Sequence, residues 1–335
     1  MGTSIIIYSL LSFILIFLFS KISYKLKLVD LPNKRKVHFK PTAYTGGIII
    51  SIILPISILL FDISNSSLNM ILLIAFLISI FGLIDDKYSI NVVSKLSLQI
   101  IPILYLVLSH NLSLVHLGDY NQLKLELGFL SAPITLICVL FLINSFNYFD
   151  GLDGTLGFSS ISVISILYFL IPDKEIQTFL IILLIPIITY LFFNFSFLNL
   201  PKIFLGDSGS LLIGFIISFV LIYLSNQNII HPILLVWSIA IFVYEFLSVN
   251  LIRLNNGNNL FLAGQDHLHH ILFKSTNSIF LSNFIITLLN IILFMIGYIS
   301  FIFINSLASL ILFILLFIVF IIVRNSYSKK LVKIE

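Results

Sequence analysis

Long apolar segments alternate with short polar loops along almost the whole chain. A helix needs about 20 apolar residues to cross the hydrocarbon core of a bilayer. Segments that meet this requirement lie near residues 4–20, 45–61, 68–84, 97–115, 128–144, 157–172, 177–195, 209–225, 230–250, 278–298 and 303–323. The pattern predicts an all-α polytopic membrane protein, with about eleven transmembrane helices in one domain over residues 1–335.

The composition agrees with a membrane protein and excludes two other classes. Hydrophobic residues make up 59% of the 335 residues and charged residues only 10%, whereas soluble domains hold about 25% charged residues. The net charge of +4 does not indicate nucleic-acid binding, because the basic residues lie in short loops between apolar runs. Cys138, the single cysteine, cannot form an intramolecular disulfide.

The basic residues also predict an orientation. When loops are assigned alternately to the two membrane faces, 16 of the 18 lysines and arginines fall on one face, and the other face holds only Lys124 and Lys174. Cytoplasmic loops carry such an excess, so we expect the N-terminus outside and the C-terminus in the cytoplasm. The first lysine, Lys21, follows the first apolar run, which is typical of a permanent helix rather than a cleaved signal peptide.

Two adjacent carboxylates, Asp85 and Asp86, end the third apolar segment, and Lys95 and Gln99 follow one helical turn apart. Like charges near low dielectric raise each other's pKa unless a cation is present. The pair therefore suits metal binding or proton acceptance, and Lys95 could hold a phosphate. A charged helix end at the membrane interface is the alternative.

A second polar cluster follows the fifth apolar segment. Asn144, Asn147, Asp150 and Asp153 recur every third residue, and glycines after both aspartates predict that the helix ends there. The turn would let these oxygens converge on one ligand, because carboxylate and amide oxygens suit Mg²⁺ or a nucleoside. The alternative is an Asx-rich loop that only caps helices.

Two further polar clusters come later in the chain. Asp207 opens the eighth apolar segment, where it could be the helix N-cap and where a helix N-terminus favours anions. His267, His269 and His270 lie in a loop predicted over residues 251–277. They favour contact with phosphate or sugar over zinc, because no cysteine or His-Glu-x-x-His motif accompanies them.

The first basic loop contains a fifth cluster. It runs from Asp30 through His38 to Gly46 and Gly47. Lysines alone would be explained by membrane topology and lipid headgroups, but the two adjacent glycines require a specific backbone path.

All five clusters fall on the same predicted membrane face. Carboxylates, asparagines, lysine and histidines together match phosphoryl transfer, in which a divalent ion neutralises a diphosphate and bases and cations position the nucleophile. The membrane setting predicts that one substrate is a lipid, attacking a soluble nucleotide-activated group.

The motifs resemble those of the polyprenyl-phosphate N-acetylhexosamine-1-phosphate transferase family, glycosyl transferase family 4. The resemblance rests on an Asp-Asp pair with Lys and Gln, an Asn-x-x-Asn-x-x-Asp-Gly-x-Asp-Gly motif, a Phe-x-Gly-Asp-x-Gly-Ser motif and a late His-x-His-His, in the family order. Together with the first basic loop, it covers residues 30–272. The histidine motif resembles that of the family branch that uses UDP-N-acetylglucosamine, rather than that of the peptidoglycan branch.

The resemblance implies transfer of N-acetylhexosamine-1-phosphate from a UDP-sugar to undecaprenyl phosphate, with release of UMP, at the cytoplasmic face of a bacterial inner membrane. It implies Mg²⁺, with Mn²⁺ as an alternative, and leaves a homodimer open. The implied catalytic residues are Asp85, Asp86, Asp150, Asp153 and Asp207, of which Asp207 and Asp153 would bind the metal. The implied substrate-binding residues are His38, Lys95, Asn144, Asn147, Arg253, His267, His269 and His270.

Three positions depart from the family pattern. Glu245 stands where Asp is usual, Gln265 where a basic residue is common, and Thr155 where Leu is usual. The alternative reading within the family is the phospho-N-acetylmuramoyl-pentapeptide transferase of peptidoglycan synthesis. Outside enzymes, the alternatives are a secondary transporter, whose site would lie near the bilayer midplane, and a non-catalytic lipid-binding scaffold.

Overall fold

The computed structural model describes residues 2–32, 40–257, 264 and 266–332 of the chain. Within these residues the α-helices are α1 (Gly2–Lys25), α2 (Gly46–Phe61), α3 (Ser66–Tyr88), α4 (Val92–Ser109), α5 (Ser131–Phe149), α6 (Thr155–Leu170), α7 (Lys174–Asn194), α8 (Gly206–Asn226), α9 (Pro232–Ser238), α10 (Ala240–Asn255), α11 (Leu268–Thr276), α12 (Ile279–Phe303) and α13 (Ser306–Val332). Two antiparallel strand pairs complete the fold, β1 (Val29–Asp30) with β2 (Thr42–Ala43), and β3 (His116–Tyr120) with β4 (Leu123–Glu126).

The helices confirm an all-α polytopic membrane protein. Eight helices among the described residues are long and apolar enough to span a bilayer, and the pair α9 and α10 makes up to nine. Helices α2 and α6 are apolar but shorter, at 16 residues each. Each of the eleven predicted segments coincides with a helix or with the bent pair, although α4 begins and ends several residues earlier than expected.

Helix α8 lies at the centre of the fold. Its whole apolar window is buried, and it packs against α2, α3 and α5. Gly47 allows the closest approach, because a Cβ there would overlap the backbone of Gly209. The Gly47 amide also donates to the Leu205 carbonyl at 2.8 Å. The Gly-Gly pair therefore follows a specific backbone path, as predicted, and this path passes the start of α8.

The prediction of one continuous helix over residues 230–250 is wrong, because α9 and α10 meet at 72°. The side chain of Asn290, on α12, lies at this break. Its Nδ2 donates to the Ser238 carbonyl at 3.0 Å, and its Oδ1 accepts from the Ile241 amide at 3.3 Å. Backbone groups in an apolar medium must find hydrogen-bond partners. At this break in the helix, the Asn290 side chain is the partner of two such groups, the Ser238 carbonyl and the Ile241 amide.

Candidate active site

The centre of the site is an ion cluster at the ends of three helices. The Lys95 ammonium, at the start of α4, contacts Asp85 Oδ2 at 2.8 Å and also pairs with the carboxylate of Asp207. Asp85 lies in the last turn of α3, and Asp207 in the first turn of α8. The structure therefore joins two of the motifs found in the sequence, with the lysine as the bridge between their carboxylates.

The second carboxylate of the pair has a different task. Asp86 Oδ1 accepts the Asp207 amide at 3.0 Å, and Asp86 Oδ2 accepts the Ser208 amide at 3.3 Å. The expectation that Asp207 is the N-cap of its own helix is wrong, because Leu205 holds that position without a side-chain cap. Since Asp86 supplies acceptors to the first amides of α8, the Asp207 carboxylate is left for other partners.

The end of α5 reaches this cluster through Asn147. Its Nδ2 donates to Asp207 Oδ1 at 2.9 Å and to Ser210 Oγ at 2.8 Å. Asn144 lies one turn deeper, where its Nδ2 donates to Gln99 Oε1 at 3.0 Å and to the Leu140 carbonyl. The structure thus brings Asn147 into the ion cluster and uses Asn144 to join α5 to α4.

The two aspartates after α5 have different surroundings. Helix α5 ends at Phe149, as the glycines predicted. Burial, together with the nearby carboxylates of Asp207, Asp86 and Asp153, raises the pKa of Asp150 well above its ordinary value. Asp153 instead contacts Lys202 Nζ at 2.5 Å through Oδ2, and its carbonyl accepts from Asn283 Nδ2 at 2.7 Å.

The histidine motif lies beside the end of α5. His267 precedes α11, and His269 and His270 lie in its first turn. The His269 ring packs directly against Gly151, where a Cβ would overlap it, and the His267 ring lies 4.9 Å from that of Tyr148. The predicted loop over residues 251–277 therefore contains a helix that places the histidines against the Asn-Asp motif.

Burial lowers the pKa of two of these histidines, His269 and His270. Burial, reinforced by the neighbouring histidines, lowers the pKa of His269 well below its ordinary value and lowers that of His270 to about 4. Within the described part of the chain, His267 Nδ1 and His269 Nε2 are buried without a hydrogen-bond partner. Buried polar atoms of this kind usually have a partner, so each of these two nitrogens is an unused hydrogen-bonding group within the described residues.

Two arginines hold the segment before α11. Arg253 donates from Nε and Nη2 to the Asp266 carboxylate at 2.9 and 2.6 Å. Arg324, on α13, donates to both oxygens of Glu245 at 2.8 and 3.1 Å. The sequence assigned Arg324 only to membrane topology, and no local pattern there indicated a buried partner.

Other predicted positions lie outside the described residues or are explained by a local contact. His38 and Gln265 lie outside the residues that the structure describes. Thr155, one of the departures from the family pattern, donates from Oγ1 to Asn283 Oδ1 at 2.6 Å, which explains why a hydroxyl is useful there.

The donor set fits a cation, although it does not form a complete cage. Asp85, Asp86, Asp150 and Asp207 bring four carboxylates together, and Lys95 supplies one balancing ammonium. Among the described residues no three His, Cys, Asp or Glu side chains are arranged to hold a metal ion. The excess of hard oxygen ligands suits Mg²⁺, which usually takes one or two protein carboxylates and completes its shell with water and substrate phosphate.

The chain is similar to known proteins. The model of the family described as glycosyl transferase family 4 matches residues 68–225. The undecaprenyl-phosphate alpha-N-acetylglucosaminyl 1-phosphate transferase of Yersinia pestis is 29% identical over 90% of this chain and 84% of its own length. The enzymes of the same name from Salmonella typhi and Escherichia coli (strain K12) are each 28% identical, over 78% and 82% of this chain and 73% and 77% of their own lengths. The resemblance drawn from the motifs is confirmed.

Proposed function

We propose that this chain, which is similar to glycosyl transferase family 4 over residues 68–225, transfers N-acetylglucosamine-1-phosphate from UDP-N-acetylglucosamine to undecaprenyl phosphate. An oxygen of the lipid phosphate attacks the phosphorus that carries the sugar. The bond from that phosphorus to the bridging oxygen breaks, and UMP leaves. The products are UMP and a lipid-linked sugar diphosphate, as the first membrane step of a cell-surface polysaccharide.

The observation that carries this proposal is the convergence of Asp85, Lys95, Asn147 and Asp207 at the ends of four helices. Phosphoryl transfer needs positioning and charge neutralisation more than covalent chemistry. Lys95 can share its ammonium with an incoming phosphate, and Asp85, already paired with it, lies where it can orient the nucleophile or accept its proton.

The remaining predicted residues have complementary roles in the proposal. His267 and His269 have buried nitrogens that can contact the diphosphate or sugar of the donor. When bound, Mg²⁺, or Mn²⁺ as an alternative, neutralises the diphosphate. Asp207 and Asp150 would hold the ion, and Asp153 could join them only by leaving Lys202.

Membrane orientation is part of the proposal. We expect eleven spans in one domain, the N-terminus outside, and the site on the cytoplasmic face of a bacterial inner membrane. The strong asymmetry of lysine and arginine supports this orientation. The site at helix ends differs from the midplane position typical of transporters, and the names of the relatives favour this transferase over the peptidoglycan enzyme.

An exchange assay tests the proposal. Purified protein is incubated with undecaprenyl phosphate, Mg²⁺ and each of a panel of UDP-sugars, and both UMP and the lipid product are measured by mass spectrometry. We expect lipid-linked N-acetylglucosamine diphosphate that disappears with EDTA. Asp207→Asn should lower turnover at least 100-fold, because one ion-cluster carboxylate becomes neutral, and Asp119→Asn, in the β3–β4 hairpin, is the matched control.

Two outcomes would contradict the proposal. Folded wild-type protein that gives no lipid product with any UDP-sugar would exclude this reaction. Wild-type turnover in the Asp207→Asn variant would remove that carboxylate from the reaction.

A further inference from the structure

A buried ion pair connects the last helix to the histidine motif. Glu245 on α10 is 1% exposed and Arg324 on α13 is 6% exposed. Glu245 Oε2 accepts from Arg324 Nε at 2.8 Å, and Glu245 Oε1 accepts both from Arg324 Nη2 at 3.1 Å and from the Leu268 amide at 2.8 Å. One carboxylate therefore binds both the last helix and the first residue of α11.

Arg324 makes a further contact that membrane topology does not require. Its Nη2 also donates to the backbone carbonyl of Asp266. A basic residue that only fixes orientation would extend to water or headgroups, as the exposed Lys329 does on the same helix. Arg324 instead faces inward, and its planar guanidinium donates to both the Glu245 carboxylate and the Asp266 carbonyl. Lysine cannot reproduce this forked arrangement.

These contacts fix residues 266–268 from three sides. Arg253 holds the Asp266 carboxylate, Arg324 holds the Asp266 carbonyl, and Glu245 holds the Leu268 amide. Leu268 begins α11, which has only nine residues. A helix this short has little stability of its own, so its position depends on what holds its first residue.

The histidine rings depend directly on that position. His269 lies in the first turn of α11, with Nε2 buried against Gly151 and without a partner among the described residues. His267 lies just before the helix, with Nδ1 3.8 Å from Glu245 Oε1. A small rotation of α11 would move both nitrogens away from the end of α5, where the ion cluster begins.

We propose that Arg324 is a positioning residue, which acts through Glu245 and the Asp266 carbonyl to hold His267 and His269 toward the sugar-nucleotide donor. The hydrogen bonds of Arg324 go to Glu245 and to the Asp266 carbonyl, outside the ion cluster. The proposal also explains Glu245 at a position where the family pattern has Asp, because the longer side chain spans from α10 to both Arg324 and the Leu268 amide. The kinetic part of this inference rests on the proposed function.

The first experiment does not depend on turnover. Diethyl pyrocarbonate labels accessible neutral histidines, and mass spectrometry of the peptide containing residues 266–274 gives the labelling rate of its three histidines. His267 and His269 are 8% and 1% exposed, so labelling at both should be slow in the wild-type protein. Arg324→Met should raise their rate at least fivefold, Arg324→Lys by an intermediate factor, and the control Lys329→Met should leave it unchanged.

The second experiment separates positioning from general stability. In the exchange assay, Arg324→Met should lower kcat/KM for the UDP-sugar about 30-fold or more and change KM for undecaprenyl phosphate less than twofold. The double variant Arg324→Met with Glu245→Met removes both buried charges, so it should recover melting temperature. It should not recover donor kinetics, because the Leu268 amide and the Asp266 carbonyl still lack their partners.

The outcomes distinguish the two proposals. Unchanged histidine labelling in folded Arg324→Met protein would overturn the positioning role, whatever the activity. Recovery of both stability and donor kinetics in the double variant would also overturn it, because Arg324 would then serve stability alone. Absence of transfer by the wild-type protein would contradict the proposed function and leave the labelling result as the decisive test of positioning.

Discussion

The carboxylate of Asp86 should control the local stability of the α8 N-terminus. Its two oxygens are the partners of the Asp207 and Ser208 amides, which lie in the first turn and have no acceptor within their own helix. Substituting Asp86 by Ala removes both hydrogen bonds. Asp86→Asn keeps one acceptor oxygen and loses the other.

The magnitude follows from the number and kind of these bonds. Loss of an N-cap acceptor costs about 0.5–2 kcal/mol, and a typical intramolecular hydrogen bond contributes about 0.5–1.5 kcal/mol. Repulsion between Asp86 and the nearby Asp85 and Asp207 opposes part of this gain. We therefore expect Asp86→Ala to weaken protection of the two amides by about 2 kcal/mol, and Asp86→Asn by about 1 kcal/mol.

Hydrogen exchange with mass spectrometry measures this effect on the peptide that covers the start of α8. A loss of about 2 kcal/mol corresponds to roughly 30-fold faster exchange in the Ala variant, and about 1 kcal/mol to roughly fivefold in the Asn variant. Asp62→Asn is the matched control, because Asp62 is an exposed aspartate at a helix end. Unchanged exchange of the Asp207 and Ser208 amides in folded Asp86→Ala protein would refute the capping role.

Two further predictions concern packing and pH. Gly47→Ala should cost about 3 kcal/mol or more and lower the folded fraction in size-exclusion chromatography, because its Cβ would overlap the Gly209 backbone, whereas Gly2→Ala, with open space around it, should change nothing. Equal behaviour of the two variants would contradict the close contact of α2 with α8. The lowered pKa of His270, about 4 against an ordinary 6.5, means that the unfolded chain binds the proton first, so stability is complete above about pH 6.5 and is lost as pH falls toward 4. Melting temperatures of wild type and His270→Gln between pH 7 and pH 4.5 should therefore diverge, with the wild type falling more steeply, and parallel curves would refute this origin.

The sequence by itself determined the membrane class and pointed to the residues of the candidate site. Apolar run length decides which segments can cross a bilayer, since unpaired backbone groups are too costly in hydrocarbon. The end of α5 before Gly151 was also predictable, because the Asn-Asp-Gly pattern is local. The motifs named residue types that suit phosphoryl transfer, and their order resembles that of glycosyl transferase family 4.

Only the tertiary structure decided which of these groups meet. Asp86 lies 121 positions before the amide that it caps, and Glu245 lies 79 positions before Arg324. Neither partner follows from local pattern, because such pairings depend on how α3 packs on α8 and α10 on α13. The break at Ile239 was equally hidden, since the side chain that stabilises it, Asn290, comes from another helix. A buried charge or amide takes whatever partner the packing brings to it, and packing is a property of the whole chain.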